Sequence, residues 1–167
     1  MSFLRRNIYR FPRETKTQCF KTLVRPILEY ASPAWDPHTA NNISSIEKVQ
    51  RRAARFVTNN YSTTSSTSEM IQNLEWPSLQ QRRSDAKLVM MYRITYNLID
   101  IPAAAYLHPS GLTTRGHSLR YFTPYCRTDT YRYSFFQWGI RLWNQLPEHL
   151  VTVSTLECFK AGLTSTP

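Results

Sequence analysis

The sequence predicts a mainly α fold, a helical hairpin plus one long helix in a thumb-like bundle, followed by an irregular, aromatic-rich C-terminal appendage. Three observations predict it. Apolar residues recur at helical spacing in three long segments before residue 100; Ser-x-x-Glu capping patterns open two further ones; and the period disappears between residues 101 and 133. A 41% hydrophobic and 13% aromatic composition is that of a chain that folds rather than of a disordered tail. At 167 residues one domain with an appendage is expected, divided as 1–100 and 101–167.

The first helix is expected to open at Pro12, with Cys19, Phe20, Leu23, Val24, Ile27, Leu28 and Ala31 on one stripe. Pro26 removes a backbone donor inside it, which predicts a kink or short break near Thr22. Ser32-Pro33 disfavours further helix, and Asp36-Pro37-His38 reads as the turn of a hairpin. A second helix then runs from Asn41 or Asn42 to Val57, burying Ile43, Ile46, Val49, Ala53, Phe56 and Val57. Its other side carries Lys48, Arg51, Arg52 and Arg55, neighbours at spacings of three and four, with only Glu47 close by in sequence to offset them.

The polar run between Thr58 and Ser68 reads as a loop, and Ser66-Thr67-Ser68-Glu69 as the capping box of a short helix through Leu74. After Trp76-Pro77 comes the long helix, 78–98, with Leu79, Ala86, Val89, Met90, Ile94 and Leu98 as its expected inner stripe. Arg82, Arg83 and Lys87, with Arg93 as a further candidate, form a second basic strip on its outer face, offset only by Asp85. Residues 101–133 read as extended structure or a wrapping loop whose tyrosines need a surface to cover or a partner to stack on. Ser134 is expected to cap a helix that holds Phe135, Phe136, Trp138, Ile140, Leu142 and Trp143 and ends before Pro147, and Ser154-Thr155-Leu156-Glu157 to open the last one.

A net charge of +10 favours an acidic partner, with nucleic acid ahead of an anionic membrane. Cys19, Cys126 and Cys158 have no Cys-x-x-Cys pairing, so neither a disulfide framework nor a zinc knuckle is expected, and the default location is intracellular, nucleus or cytoplasm unresolved. His108, His117 and Cys126 lie nine apart and match no metal-ligand spacing; with four glycines there is no Gly-rich phosphate loop or nucleophile elbow. No cofactor, metal or catalytic residue is assigned, and no run is long enough to span a membrane. Trp35, Trp76, Trp138 and Trp143 read as core or hinge residues rather than base-stacking platforms. Arg115, Arg120, Arg127 and Arg132 fit either folding glue or a nucleic-acid clamp.

Several strings carry a resemblance. They are Phe3-Leu4-Arg5-Arg6-Asn7; Leu23-Val24-Arg25-Pro26-Ile27-Leu28-Glu29-Tyr30; Ala31-Ser32-Pro33-Ala34-Trp35-Asp36-Pro37; and Glu47 through Phe56. Leu74-Glu75-Trp76-Pro77-Ser78-Leu79, Arg127-Thr128-Asp129 with Tyr133-Ser134-Phe135-Phe136, Ile140 through Pro147, and Phe159-Lys160 continue it. Together they resemble, over essentially the whole chain, the region after the polymerase palm in LINE-type, jockey-like non-LTR retrotransposon reverse transcriptases. The resemblance implies a thumb-like domain that handles RNA or an RNA–DNA template-primer without sequence specificity, with Lys48, Arg51, Arg52, Arg55, Arg82, Arg83 and Lys87 on the backbone. In that family the catalytic carboxylates lie upstream on a Tyr-x-Asp-Asp turn. This chain has no Asp-Asp pair to hold two metal ions, and it carries no endonuclease. The expectation is therefore a truncated, non-catalytic fragment. The alternative is a protein interaction module, or a relic without function, whose surface near Phe3, Leu4 and Ile8 once faced the palm and is left exposed for self-association or a partner.

Overall fold

A computed structural model describes residues 1–111 and 116–165. Among them the regular structure is helical, and β structure is confined to one isolated antiparallel bridge between Pro109 and Tyr121. The chain divides into two compact units, Met1–Arg83 and Ser84–Pro167, a boundary seventeen residues before the one expected (100 − 83).

The first unit begins with α1 (Ser2–Ile8) and α2 (Arg13–Cys19), the latter entered through Pro12 as expected. A π-helical turn, Phe20–Val24, comes next, closed by the Arg25 amide on the Phe20 carbonyl, and then α3 (Arg25–Glu29). The break falls where Pro26 predicted it. Pro26 occupies the start of α3, where a missing N–H leaves no bond unmade. The wider turn also rotates α3 relative to α2, because one residue more per turn is about 100° of helix. Phe20 is buried, while Leu23 and Ile27, expected on the same inner stripe, are exposed.

Chain reversal uses Ala31 in the left-handed region, φ 50°, after which α4 (Ser32–Trp35) forms one turn with Pro33 at its start. Ser32-Pro33 thus restarts a helix rather than preventing one, since proline is tolerated in a first turn. The helix α5 (Ala40–Thr58) ends at Asn59 in the left-handed conformation, with the Asn59 and Asn60 amides both on the Arg55 carbonyl. It packs against α2 and against α6 (Thr67–Asn73), whose first turn is capped by the Ser66 hydroxyl accepting from the Glu69 amide.

The core of this unit is Leu4, Phe20, Ala53, Ala54, Phe56, Val57, Met70 and Trp76, with Phe20 and Trp76 stacked at 4.7 Å between centroids. Ala53 and Ala54 let α5 approach closely, and Lys16 lies over the Phe56 ring at 5.1 Å. Around the core, polar groups fasten the start of α7 (Leu79–Thr95). Buried Gln50 donates to the Pro77 carbonyl at 2.9 Å, and Glu47 accepts from the Gln80 amide at 2.8 Å. Arg82 forks onto Glu29, with Nη2 on Oε2 at 2.8 Å, and Arg83 Nε donates to Asp36 Oδ1 at 2.7 Å. Burial, and after it the charge of Arg82, lower the pKa of Arg25 from its ordinary value, while Glu29 opposes them.

In the second unit the rest of α7 is joined by α8 (Ala103–Tyr106), α9 (Asp129–Arg132), α10 (Phe135–Trp143), α11 (Glu148–Val151) and α12 (Leu156–Ser165). Helix α7 stops at Thr95, with Asn97 left-handed and the Leu98 amide on the Arg93 carbonyl, so the expected end at Leu98 is three residues too long. The buried set Leu88, Met91, Tyr92, Ile94, Leu107, Ile140, Trp143, Leu150, Val151, Phe159 and Leu163 forms the core. The boundary moved because these aromatic C-terminal helices need the second half of α7 to close that core. The cap of α12 is Thr155, whose hydroxyl accepts from the Cys158 amide at 3.2 Å, rather than Ser154. At Gly162 a Cβ would stand 2.2 Å from the buried Leu150 Cδ2, so only glycine lets α12 pack there.

The aromatic stretch is ordered through backbone carbonyls. Tyr92 donates to Val153 at 2.8 Å, Tyr96 to Val151 at 2.5 Å, and Trp143 Nε1 to Leu119 at 2.8 Å. Burial raises the pKa of Tyr92, Tyr96 and Tyr121 and keeps these phenols neutral donors. Asn144 brackets Tyr121 as a strand would, accepting from its amide at 2.9 Å and donating to its carbonyl at 2.7 Å. Glu148 accepts from the Ser118 amide at 2.8 Å and hydroxyl at 2.7 Å.

Two outcomes are expected. Replacing Asp36 with Ala strands a buried guanidinium and costs about 3–5 kcal/mol in a urea melt, whereas the double variant Asp36→Leu with Arg83→Met removes both charges and costs less than half as much; a double variant as damaged as the single one would contradict the stranded-charge account. The Ser118 hydroxyl and amide, in that order, depress the Glu148 pKa. A depressed carboxylate stabilises above its unfolded value and loses that contribution as pH falls through the folded one. The Ser118 amide resonance should therefore titrate with a midpoint below the unperturbed ~4.3 of glutamate, and Glu148→Gln should abolish the step; a midpoint at or above that value contradicts the tether.

Candidate nucleic-acid interface

Helix α5 divides its two sides sharply. Gln50, Ala53, Ala54, Phe56 and Val57 are buried, while Lys48, Arg51 and Arg52 are exposed and Arg55 half-buried. All four expected cations therefore share one helix surface. The acid nearest in sequence, Glu47, makes no ion pair with them, and its carboxylate accepts from the Gln80 amide. Among the described residues no carboxylate lies within ion-pair distance of any of the four. Cations three and four apart repel one another on a helix, and an array of phosphates is the surface that relieves such repulsion.

The sequence missed Arg5, which α1 brings to the end of this face. Its guanidinium lies over the Tyr61 ring, 4.7 Å from the centroid, and Arg55 Nη1 donates to the Ser62 carbonyl at 3.1 Å, drawing the loop after α5 up against the helix. Arg5, Arg52, Arg55, Phe56 and Tyr61 line a cavity of about 270 Å³. No spacing rule could have found it, because it joins residues more than forty positions apart.

The second basic strip is corrected. Arg83 is fully buried on Asp36, Lys87 is 2% exposed, and Arg82 is committed to Glu29. Leu79, Arg83, Lys87 and Met91, each four residues from the next, lie on the buried line of α7, and the expected inner residue Leu98 is 55% exposed. Of the expected inner stripe Leu79 and Ile94 are fully buried and Ala86, Val89 and Met90 half-buried, but α7 serves two cores in succession and has no single apolar side, so the periodicity does not mark Arg83 and Lys87 as inner positions. Arg83 and Lys87 are buried and offer no outward face to a phosphate chain, while Arg82, half-buried, is engaged by Glu29.

Trp76 and Trp143 are buried, Trp138 packs on Tyr133 at 5.2 Å, and Trp35, 41% exposed, donates to the Tyr30 carbonyl. In the extended region Arg132 pairs with Asp129 at 3.6 Å and Arg127 is exposed; Arg115 lies outside the described residues. The expected exposure of Leu4 and Ile8 is also corrected: Leu4 is a core residue, Ile8 packs against that core, and only Phe3 of the three is exposed. Around α1 the exposed aromatic side chains are Phe3, Tyr9 and Phe11, and a second exposed apolar group of the first unit comprises Leu23, Ile27 and Tyr30. Among the described residues no three His, Cys, Asp or Glu side chains gather to hold a metal ion, and no helix is long and apolar enough to cross a membrane. Comparison with protein-family models, with curated proteins and with solved structures finds no match for this chain.

Proposed function

We propose that this chain is a non-catalytic nucleic-acid-binding protein, similar to the post-palm region of LINE-type reverse transcriptases, that holds the backbone of RNA or an RNA–DNA hybrid along α5. One observation carries the reading: Lys48, Arg51, Arg52 and Arg55 stand on the solvent side of one helix with no carboxylate in reach among the described residues. Backbone contact by point charges gives affinity without sequence preference. Arg82, Arg83 and Lys87 take no part in it. No residue is assigned to catalysis, and the template-primer is held rather than extended.

A second reading, a protein interaction module, has a specific observation in its favour: Leu23, Ile27 and Tyr30 are 55%, 75% and 81% exposed on neighbouring turns. The two readings diverge in their salt dependence, since apolar docking does not release counterions.

Fluorescence anisotropy with a labelled RNA–DNA primer-template should give a log-log salt slope of about −3 to −4, as expected for four neutralised phosphates. The variant with Lys48, Arg51, Arg52 and Arg55 all changed to Ala should bind weakly with a flattened slope, and Arg82→Ala should leave the slope as it is. Absence of binding at low salt by the folded wild-type chain excludes the nucleic-acid reading and leaves the interaction module.

A further inference from the structure

The cavity beside α5 differs in kind from the open basic face. Its walls bring together three guanidiniums, Arg5, Arg52 and Arg55, that have no carboxylate partner among the described residues. They share the lining of this recess with the aromatic rings of Phe56 and Tyr61 and with Met1 and Ser2. A bare phosphate chain needs no aromatic lining, and an apolar ligand needs no triple positive charge. The two together fit a ligand that is anionic at one end and planar and aromatic at the other.

Size narrows this further. About 270 Å³ is close to the lower bound of roughly 300 Å³ for small-molecule pockets, enough for one nucleotide and too little for a stacked pair. Arg52 and Arg55 sit three apart on α5 and so present their forks to the same place. Arg5 over Tyr61 at 4.7 Å makes a cation-on-ring platform of the sort on which unpaired bases stack. The Arg55 bond to the Ser62 carbonyl holds the loop bearing Tyr61 in place before any ligand arrives.

We infer that this cavity binds a single unpaired nucleotide, its phosphate on Arg52 and Arg55 and its base against the Arg5–Tyr61 platform. Resting on the backbone-binding reading, the inference makes the pocket the point where a strand held along α5 is gripped by one unstacked residue.

The test uses the full chain and adenosine 5′-monophosphate as probe, followed by NMR and calorimetry beside inorganic phosphate and adenosine. Saturable shifts are expected in the Arg5, Arg52 and Arg55 Nε–H signals and the Tyr61 ring, with phosphate and adenosine each at least tenfold weaker. Tyr61→Ala should weaken the nucleotide about tenfold, within the range expected for losing one base–aromatic stack. Arg52→Gln should weaken it by a similar factor, while Lys160→Ala, which removes one charge in the other unit, should stay within twofold of wild type.

A dinucleotide monophosphate binding no more than threefold tighter than its mononucleotide fits a one-residue pocket. Primer-template binding without any saturable nucleotide shift at Arg5 or Tyr61 overturns the pocket and leaves the backbone reading standing. Nucleotide binding in a chain that ignores primer-template does the reverse. Equal affinity for inorganic phosphate and nucleotide also overturns the inference, since the aromatic lining and the platform would then recognise nothing.

Discussion

Arg83 is a guanidinium with no access to water, and keeping a charge in such a place is costly unless a countercharge is delivered to it. The segment from Pro26 to Asp36 can be understood through that demand. The left-handed Ala31 and the proline-started turn α4 place Asp36 at a helix end, where its Oδ1 reaches Arg83 Nε at 2.7 Å. Glu29, at the end of α3, meets the adjacent Arg82. Two acids from one short segment and two neighbouring arginines thus lock the N-terminal segment to the first turn of α7. The pairing is incomplete: both Arg83 Nη atoms are buried without a hydrogen-bond partner, so the ion pair offsets only part of the cost of burying the charge.

These pairs also decide which of the positive charges are left for a ligand. The +10 of the sequence is not spread evenly over the surface. Arg82 and Arg83 are neutralised within the fold, Lys16 is spent on an aromatic ring, and Arg132 and Lys160 sit by acids three residues away. The face of α5 carries its charge uncompensated. Composition alone counts all of these alike, whereas pairing separates structural cations from those available to bind.

That separation marks the limit of what the sequence made legible. The α5 face was visible because nineteen consecutive residues obey one period, with the apolar and basic positions on opposite sides. The break at Pro26 was visible because a missing donor acts locally. The inner face of α7 was legible only in part, at Leu79 and Ile94, because the line Leu79, Arg83, Lys87 and Met91 places two cations where an apolar stripe is sought, and only the distant Asp36 makes the Arg83 position intelligible. The same holds for Arg5, whose place depends on Tyr61 more than fifty residues away, and for Leu23 and Ile27, turned outward by a single wide helical turn. The capping hydroxyl of α12 slipped by one residue, from Ser154 to Thr155, because both side chains can accept from a first-turn amide and packing chooses between them.

Helix α5 therefore does two jobs that pull against each other. Its buried side holds Ala53, Ala54, Phe56 and Val57 in the core of the first unit, and its outer side gathers like charges that repel at helical spacing. Salt screens the repulsion between these charges but not apolar burial, so the core must carry the cost of the charged face whenever no anion is present. A polyanion seated on that face removes the cost and adds attraction, and by linkage whatever binds the folded helix more tightly than the unfolded chain also stabilises it. The small residues that bring α5 close to its neighbours and the cations that oppose it across the helix are on this account one arrangement: the packing is what allows the charge to remain unpaired, and under the proposed function the unpaired charge is what meets the backbone.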